Sequence, residues 1–197
     1  MSEAAAIDQG PDDERVALGE LILFHGGEWT ESDYEALPGG VRAELHDGRL
    51  ILVPSASVPH MLASRELSNR FVAIVGDRLR VVQEVDVRMA DGRRYRTPDV
   101  VVLREPARSR PLDPRNVQLS CEIVSPGGGE ERSVKMTVYA EAGIEWYLIV
   151  EETPEGFLGE LYRLDGDAYR LVADAPAGGV LALPTPYAAR LSLDDLA

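Results

Sequence analysis

Residues 117–150, VQLSCEIVSPGGGEERSVKMTVYAEAGIEWYLIV, decide the fold of this chain. The segment begins with an apolar run that predicts a buried strand. A proline and three glycines end this strand, and residues 133–143 then predict a helix that Gly143 closes. Residues 144–152 predict a further apolar strand. This order of strand, turn, helix and strand favours a mixed sheet with helices packed against it.

The sequence on either side predicts further strands and helices. Thr30 and Asp33 form a variant of the capping box, so a short helix is expected to begin there and to end before Pro38. Further predicted elements are a hairpin turning at Asp47-Gly48, a helix over 58–79, a strand over 81–90, a strand beginning at Asp99, and a hairpin over 157–172 that turns at Asp165-Gly166. The expected fold class is therefore α/β (α+β), with a mixed β-sheet core flanked by helices and an added C-terminal hairpin.

Length and composition indicate one globular domain. Residues 1–15 are small and acidic and have no hydrophobic periodicity, so we expect a disordered tail followed by a single domain over 16–197. Residues 16–30 fit a short strand or a helix equally well. No apolar run reaches the roughly 18 residues of a membrane span, and the first thirty residues lack a secretory signal. The single cysteine, Cys121, excludes an internal disulfide, is expected to be buried, and fits a cytoplasmic location.

The charge distribution is uneven. The net charge of −14 argues against indiscriminate binding of nucleic acid. Residues 1–35 contain ten acidic residues and one arginine, whereas residues 88–115 contain eight arginines and four acids. The basic segment surrounds Asp99, and the sequence leaves open whether it contacts a substrate or forms a solvated loop.

Two carboxylates occupy costly positions. Asp99 begins one apolar strand and Glu122 lies within another, although burying an unpaired carboxylate is strongly unfavourable. If the two strands are neighbours, these side chains can meet at the edge of the sheet, where two carboxylates and waters would suit magnesium. The alternative is a pair of structural salt bridges to arginine. Lys135, the only lysine in the chain, is a further candidate for the site, because burial can shift the pKa of an ammonium.

These residues resemble a known family. The run PDVVV at 98–102 and the segment 121–150 are similar to the Uma-two family of restriction endonucleases, in the PD-(D/E)XK nuclease-like superfamily. Residues 34–60 resemble the family's opening segment, and 161–172 its closing hairpin. The resemblance extends over residues 30–195 and implies a restriction-endonuclease-like fold.

The resemblance also implies roles for individual residues. Asp99 and Glu122 would be the two acids that bind magnesium or manganese, together with the main-chain carbonyl of Ile123. The superfamily's usual lysine is absent, because Val124 occupies its position. In this family a lysine on the following helix takes that role, which here is Lys135.

Four other residues complete the expected site. Glu44 matches an acid of the family's opening motif and is expected to join the catalytic set. Arg94, Arg96 and His60 are expected to contact the substrate. The three histidines, His25, His46 and His60, are poor metal candidates, since they lie in separate elements and lack the spacing of a zinc helix. The glycines at 127–129 depart from the family's polar loop, which puts substrate contacts there in doubt.

The implied activity is metal-assisted hydrolysis of phosphodiester bonds in nucleic acid, DNA more than RNA, by a cytoplasmic homodimer or higher homo-oligomer. No membrane partner is expected. Two other hypotheses remain open. The chain could be a non-catalytic nucleic-acid-binding or protein-binding module on the same fold. It could also be a structural homo-oligomer whose carboxylates merely pair with arginines.

Overall fold

The computed structural model describes residues 22, 25–38, 40–89, 91–105, 107, 110–125, 129 and 131–196. The tail predicted over 1–15 lies outside these residues, as do most of the segment 16–24 and residues 127 and 128. Within the described part of the chain, no helix is both long and apolar enough to cross a membrane.

The described residues form helices, strands and short turns in mixed order. The helices are α1 (Glu31–Glu35), α2 (Val58–Val75) and α3 (Met136–Glu141), and a π-helical turn (Glu131–Lys135) leads directly into α3. The strands are β1 (Ala43–His46), β2 (Arg49–Leu52), β3 (Arg80–Gln83), β4 (Val87–Arg88), β5 (Arg94–Arg96), β6 (Val100–Leu103), β7 (Val117–Val124), β8 (Trp146–Thr153), β9 (Gly156–Asp165), β10 (Ala168–Ala175), β11 (Val180–Leu183) and β12 (Ala189–Ser192). Short 3-10 turns follow α2, precede β7 and end the described chain (Gly76–Arg78, Pro114–Asn116 and Asp194–Leu196).

Two sheets carry the fold. The larger one has six strands in the order β10-β9-β8-β7-β6-β3 and is mixed, because β7 and β8 run parallel while the other neighbours are antiparallel. The smaller one has four antiparallel strands in the order β2-β1-β5-β4. β11 and β12 pair as a separate hairpin. The predicted α+β class, with a mixed sheet flanked by helices, is confirmed.

One face of the six-stranded sheet packs against α2 and the β11–β12 hairpin. Val100, Cys121 and Leu148 point to this side and share a core with Phe71 of α2 and Leu181 of β11. Cys121 is fully buried there, and burial raises the pKa of its thiol well above the usual value, so the residue behaves as a small apolar side chain, as expected.

The opposite face packs against α3 and part of the smaller sheet. Val101, Val117 and Ile149 point to this side and contact a cluster that contains Tyr139 of α3 and Val87 of β4. Because side chains alternate along a strand, Asp99 and Glu122 belong to this second face. The helix that carries Lys135 therefore lies on the same side of the sheet as both acids.

The smaller sheet is held by α1. The Thr30 hydroxyl accepts a hydrogen bond from the Asp33 amide, and the Asp33 carboxylate accepts one from the Thr30 amide, so the predicted capping box is confirmed. Tyr34 packs against Tyr95 of β5 in a tilted arrangement, with ring centroids 4.5 Å apart, and donates a hydrogen bond to the Ala43 carbonyl. These contacts fix the position of β1, which matters for the site below.

Turn residues determine several of the predicted boundaries. The β1–β2 hairpin turns at Asp47 and Gly48, both with positive φ, as the Asp-Gly pair predicts. A Cβ atom at Gly48 would lie 2.9 Å from the Glu28 side chain, so glycine is required by space as well as by conformation. Gly143, at φ 74°, closes α3 as expected.

Two predicted elements are wrong in detail. The single strand expected over 81–90 is two strands in different sheets, because Glu84 adopts a φ of 47° and breaks the ladder between β3 and β4. The helix expected over 58–79 ends at Val75, where Gly76 takes a φ of 57° and a 3-10 turn follows. The strands β5, β11 and β12 were not predicted.

Phe71 tests the packing of α2 on the sheet. It is fully buried and meets Tyr187 edge-on, with ring centroids 5.9 Å apart. We expect Phe71→Ala to lower the free energy of unfolding by about 3–5 kcal/mol, because it leaves a cavity between helix and sheet. The neighbouring Val72 is 52% exposed, so Val72→Ala should change the free energy of unfolding by about 0.5 kcal/mol or less. Urea unfolding of both variants measures the difference, and equal effects would contradict the packing of this helix.

Candidate active site

Asp99 and Glu122 lie opposite each other at the end of the β6–β7 pair. These strands are antiparallel with Val100 opposite Cys121, and continuing that register by one residue places Asp99 opposite Glu122. The Asp99 Oδ2 atom accepts a hydrogen bond of 2.7 Å from the main-chain N–H of Ile123. Because the N–H and C=O of one strand residue point to the same side, the Ile123 carbonyl also points toward Asp99.

Glu122 is buried and strongly hydrogen-bonded. Its residue is 3% exposed, its Oε1 accepts a 2.6 Å hydrogen bond from the Tyr139 hydroxyl, and its Oε2 lies 3.0 Å from Lys135 Nζ. Burial raises the pKa of Glu122 to about 7, although the Lys135 ammonium opposes that shift. Burial likewise raises the pKa of Tyr139 well above its usual value, so the phenol remains a neutral donor.

Lys135 joins two strands from different sheets. Its ammonium lies 3.0 Å from Glu122 Oε2 and 3.5 Å from Glu44 Oε1. Burial by itself would lower the pKa of this lysine, but the carboxylates of Glu122 and Glu44 outweigh burial and raise it. The ammonium is therefore charged over the physiological pH range.

Glu44 belongs to β1 of the smaller sheet, which sequence spacing could not place near Asp99. Its Oε1 atom also accepts a hydrogen bond of 3.2 Å from the Thr97 amide, and its Oε2 atom lies 3.5 Å from Arg96 Nε. The side chain is 6% exposed. Glu44 thus reaches the candidate site from the opposite sheet, where one hydrogen bond from Thr97 and two ion pairs, with Lys135 and Arg96, hold it.

His60 enters the site from the first turn of α2. The side chain of Ser57 caps this helix by accepting a hydrogen bond from the His60 amide. His60 Nε2 lies 2.8 Å from Asp99 Oδ1, and this hydrogen bond raises the pKa of the imidazole against the opposite effect of burial. His60 was expected to contact a substrate, and in the structure its imidazole contacts one of the two acids directly.

These residues line a cavity of about 790 Å³. Its wall includes Glu44, His60, Asp99, Glu122, Ile123 and Lys135. Two further ion pairs lie in the same wall, with Arg42 3.3 Å from Glu84 and Arg110 2.6 Å from Asp86. Five carboxylates against three permanent cations give the wall an excess of negative charge, with histidine counted as neutral.

Arg94 and Arg96, which were expected to contact a substrate, lie outside the cavity wall. Arg96 is fully buried, where it donates a hydrogen bond to the Leu45 carbonyl and contacts the His46 ring. Arg94 lies 2.6 Å from both Asp91 and Glu141. Both arginines belong to β5 of the smaller sheet.

The other arginines of the basic segment are also paired with acids. Among the described residues of 88–115, each arginine has a carboxylate within 4 Å. The pairs not already mentioned are Arg88 with Glu31, Arg93 with Glu28, Arg104 with Glu145, and Arg115 with Asp113; Arg108 lies outside the described residues. The positive excess at this segment is thus offset by acids from elsewhere in the chain, and the two acids of the site pair with lysine and histidine instead.

Tyr139 is the site residue that sequence analysis did not identify. It follows Lys135 by four residues, the spacing at which helical side chains are neighbours, and that spacing was the available signal. The other two histidines lie elsewhere, since His25 stacks on Trp29 and His46 contacts Arg96.

The residues present fit a magnesium or manganese ion. Within the described part of the chain, no group of three or more His, Cys, Asp or Glu side chains is arranged to hold a metal. Magnesium, however, is commonly bound by one or two carboxylates and waters rather than by a complete protein cage. Asp99, Glu122 and the carbonyl of Ile123 are such a partial set of hard oxygen donors, and a cation would offset the cost of burying Glu122.

The raised pKa of Glu122 predicts a pH dependence of stability. A group whose pKa rises from 4.5 to about 7 on folding stabilises the folded state fully below pH 4.5 and loses that contribution as the pH rises through 7. The free energy of unfolding of the wild type should therefore fall, relative to that of Glu122→Gln, by about 3 kcal/mol between pH 4.5 and 8. Urea unfolding across this range measures the difference.

Asp113→Asn is the matched control. Its hydrogen bond with Arg115 lowers the pKa of Asp113 to about 2, so its contribution changes only below the titration range of Glu122. The difference between the wild type and Asp113→Asn should stay flat from pH 4.5 to 8. A flat difference for Glu122→Gln as well would contradict the burial of that carboxyl.

Comparison with known proteins places this geometry in context. No curated protein matches the chain. A crystal structure from Anabaena variabilis ATCC 29413, described as "a putative nuclease belonging to DUF820", is similar with a TM-score of 0.66 and 18% sequence identity. The match covers 85% of this chain and 97% of that one, and at this identity it establishes a shared fold. The Uma2 family model, described as "Putative restriction endonuclease", matches residues 31–194, and the chain therefore belongs to the Uma2 family.

Proposed function

We propose that this protein is a metal-dependent nuclease that hydrolyses phosphodiester bonds at the cavity between the two sheets. The observation that carries the proposal is the pairing of Asp99 with Glu122 on adjacent strands, beside a buried ammonium and open to one cavity. Family membership and the fold of the Anabaena protein support the same conclusion.

Asp99, Glu122 and the Ile123 carbonyl would hold the ion. When bound, magnesium or manganese would supply Lewis acidity toward a phosphoryl oxygen and lower the pKa of a water molecule. The hydrogen bond from the Ile123 amide orients Asp99, and that from Tyr139 orients Glu122. His60, bonded to the other Asp99 oxygen, would orient that carboxylate from the side of α2.

Lys135 would stabilise negative charge that develops on the phosphate. Its ammonium lies 3.0 Å from Glu122 Oε2, which supports the role expected of a lysine two residues after the glutamate, where Val124 stands in this sequence. Glu44 holds the ammonium from the second side and limits its motion. A fixed charge near the reacting phosphate needs no reorganisation during the reaction.

The substrate we propose is DNA, on the strength of the family description. The described arginines of 88–115 are all paired, and the chain carries a net charge of −14, so a broad basic surface is not the source of affinity. The cavity itself is the proposed binding site. We further propose that the enzyme works in the cytoplasm, as a homo-oligomer.

Cleavage assays test the catalytic assignment. With magnesium or manganese, the wild type should cleave labelled DNA, and Asp99→Asn, Glu122→Gln and Lys135→Met should each lower the rate by about 100-fold or more. Asp113→Asn removes a carboxylate that lies outside the cavity and should leave the rate unchanged. A wild type that cleaves neither DNA nor RNA would overturn the proposal. So would an Asp99→Asn variant with full activity.

Thermal melting separates metal binding from catalysis. A tenfold excess of magnesium or manganese over its Kd should stabilise the wild type by about 1.4 kcal/mol, which is a rise in Tm of about 3–6 °C for a domain of this size. Asp99→Asn should lose this rise, whereas Asp113→Asn should keep it. If neither metal changes the Tm of the wild type, a non-catalytic module on the same fold would be favoured instead.

A further inference from the structure

The π-helical turn over Glu131–Lys135 carries two cations, and both contact carboxylates on one face of the six-stranded sheet. Such turns are rare and are frequently found at functional sites. Arg132 lies near the start of the turn and Lys135 at its end. Lys135 meets the acids of the candidate site, whereas Arg132 is absent from the cavity wall and so does not serve as a substrate contact.

Arg132 is held by two carboxylates on neighbouring strands. Its Nη2 atom lies 2.6 Å from Glu151 Oε2 on β8 and 3.0 Å from Glu160 Oε2 on β9, and its Nε atom donates a 3.0 Å hydrogen bond to the same Glu160 oxygen. The Tyr162 hydroxyl donates a further hydrogen bond to Glu160. We call this arrangement of Arg132, Glu151 and Glu160 the arginine clamp.

The clamp and the site lie on one line across the sheet. Glu122 on β7 is opposite Ile149 on β8, and Ile149 is opposite Glu160 on β9. Side chains directly opposite one another share a face, so Glu122 and Glu160 point to the same side with two strand spacings between them, about 10 Å. The turn bridges that distance, with Arg132 on Glu160 and Lys135 on Glu122.

The turn depends on such an anchor for its conformation. The α-helix that follows has only six residues, too few to be stable without tertiary contacts. Tyr139 anchors this helix downstream of Lys135, and Arg132 is a charged anchor upstream of it. With only one of these anchors, the backbone at Lys135 could shift or rotate.

We infer that Arg132 is a positioning residue for Lys135: the arginine clamp fixes the π-helical turn so that the ammonium meets Glu122 and Glu44. The consequence for catalysis rests on the proposed function. The geometric claim does not, since it concerns where one amine lies in the folded chain.

Lys135 being the only lysine gives a direct measurement of this geometry. The full chain labelled with ¹³Cε,¹⁵Nζ-lysine should show one lysine resonance, displaced from its position in the urea-unfolded chain. In Arg132→Met this resonance should move at least halfway toward the unfolded position or broaden. Arg104→Met is the matched control, because Arg104 pairs with Glu145, which precedes β8 and lies at the other end of that strand from Glu151. In this variant the Lys135 resonance should stay where it is in the wild type.

Kinetics supply the second measurement. Arg132→Met should lower kcat for DNA cleavage by about 10–100-fold, because displacement of a catalytic group by about 1 Å can cost that much. Its KM should change by less than about twofold, since Arg132 does not face the cavity. Glu160→Gln, which removes one partner of the clamp, should move the lysine resonance and kcat in the same direction to a smaller extent, and it replaces Arg132→Met if that variant fails to fold.

An unchanged lysine resonance in a folded Arg132→Met or Glu160→Gln would overturn the inference, even if Tm falls, because it would show a purely structural salt bridge. A fall in kcat matched by an equal rise in KM would also overturn it. If the wild type shows no cleavage, the proposed function fails by itself, and the lysine resonance alone decides whether the clamp positions Lys135.

Discussion

The Lys135 ammonium between Glu122 and Glu44 is the interaction on which the site depends. β7 is buried along its whole length, and a carboxylate in such a strand needs a compensating charge or several donors. Removing one member of a buried ion pair typically costs about 3–5 kcal/mol, because the remaining charge stays buried without a partner. The lysine therefore has a structural role as well as its proposed chemical one. It ties the helix on one face of the large sheet to β7 and, through Glu44, to the smaller sheet.

Elements that depend on neighbours in sequence were predictable. The capping box at Thr30, the Asp47-Gly48 turn and the apolar run of β7 are local signals, and each has the structure it predicts. The division of residues 81–90 between two sheets was not predictable, because alternation of apolar side chains continues through Val85 and Val87 regardless of the backbone at Glu84. Which sheet a strand joins is decided by tertiary packing, and its periodicity is the same in either one.

The candidate site divides in the same way. The approach of Asp99 to Glu122 follows from two apolar strands being neighbours, which sequence could state as a condition. The positions of Glu44 and His60 depend on the second sheet and on the start of α2, so spacing along the sequence could not supply their contacts, although both residues were expected in the site. For the arginines of 88–115, the sequence left open a substrate contact or a solvated loop. Composition does not reveal that Glu28, Glu31 and Glu145 come from distant segments to pair with them.

An acidic chain that acts on a polyanion must obtain its affinity from a few fixed charges. Each exposed ion pair of the basic segment contributes little to stability, about 0–1 kcal/mol, but the acidic partner offsets the positive charge that would otherwise attract a phosphate. The cavity has the same character, since Arg42, Arg110 and Lys135 are all paired and carboxylates outnumber them. A phosphate entering this cavity would meet net repulsion unless a divalent cation first joined Asp99 and Glu122. Metal binding would then control access of the substrate as well as the chemistry. The positions of Lys135 and the two acids would matter more for recognition than the total number of arginines.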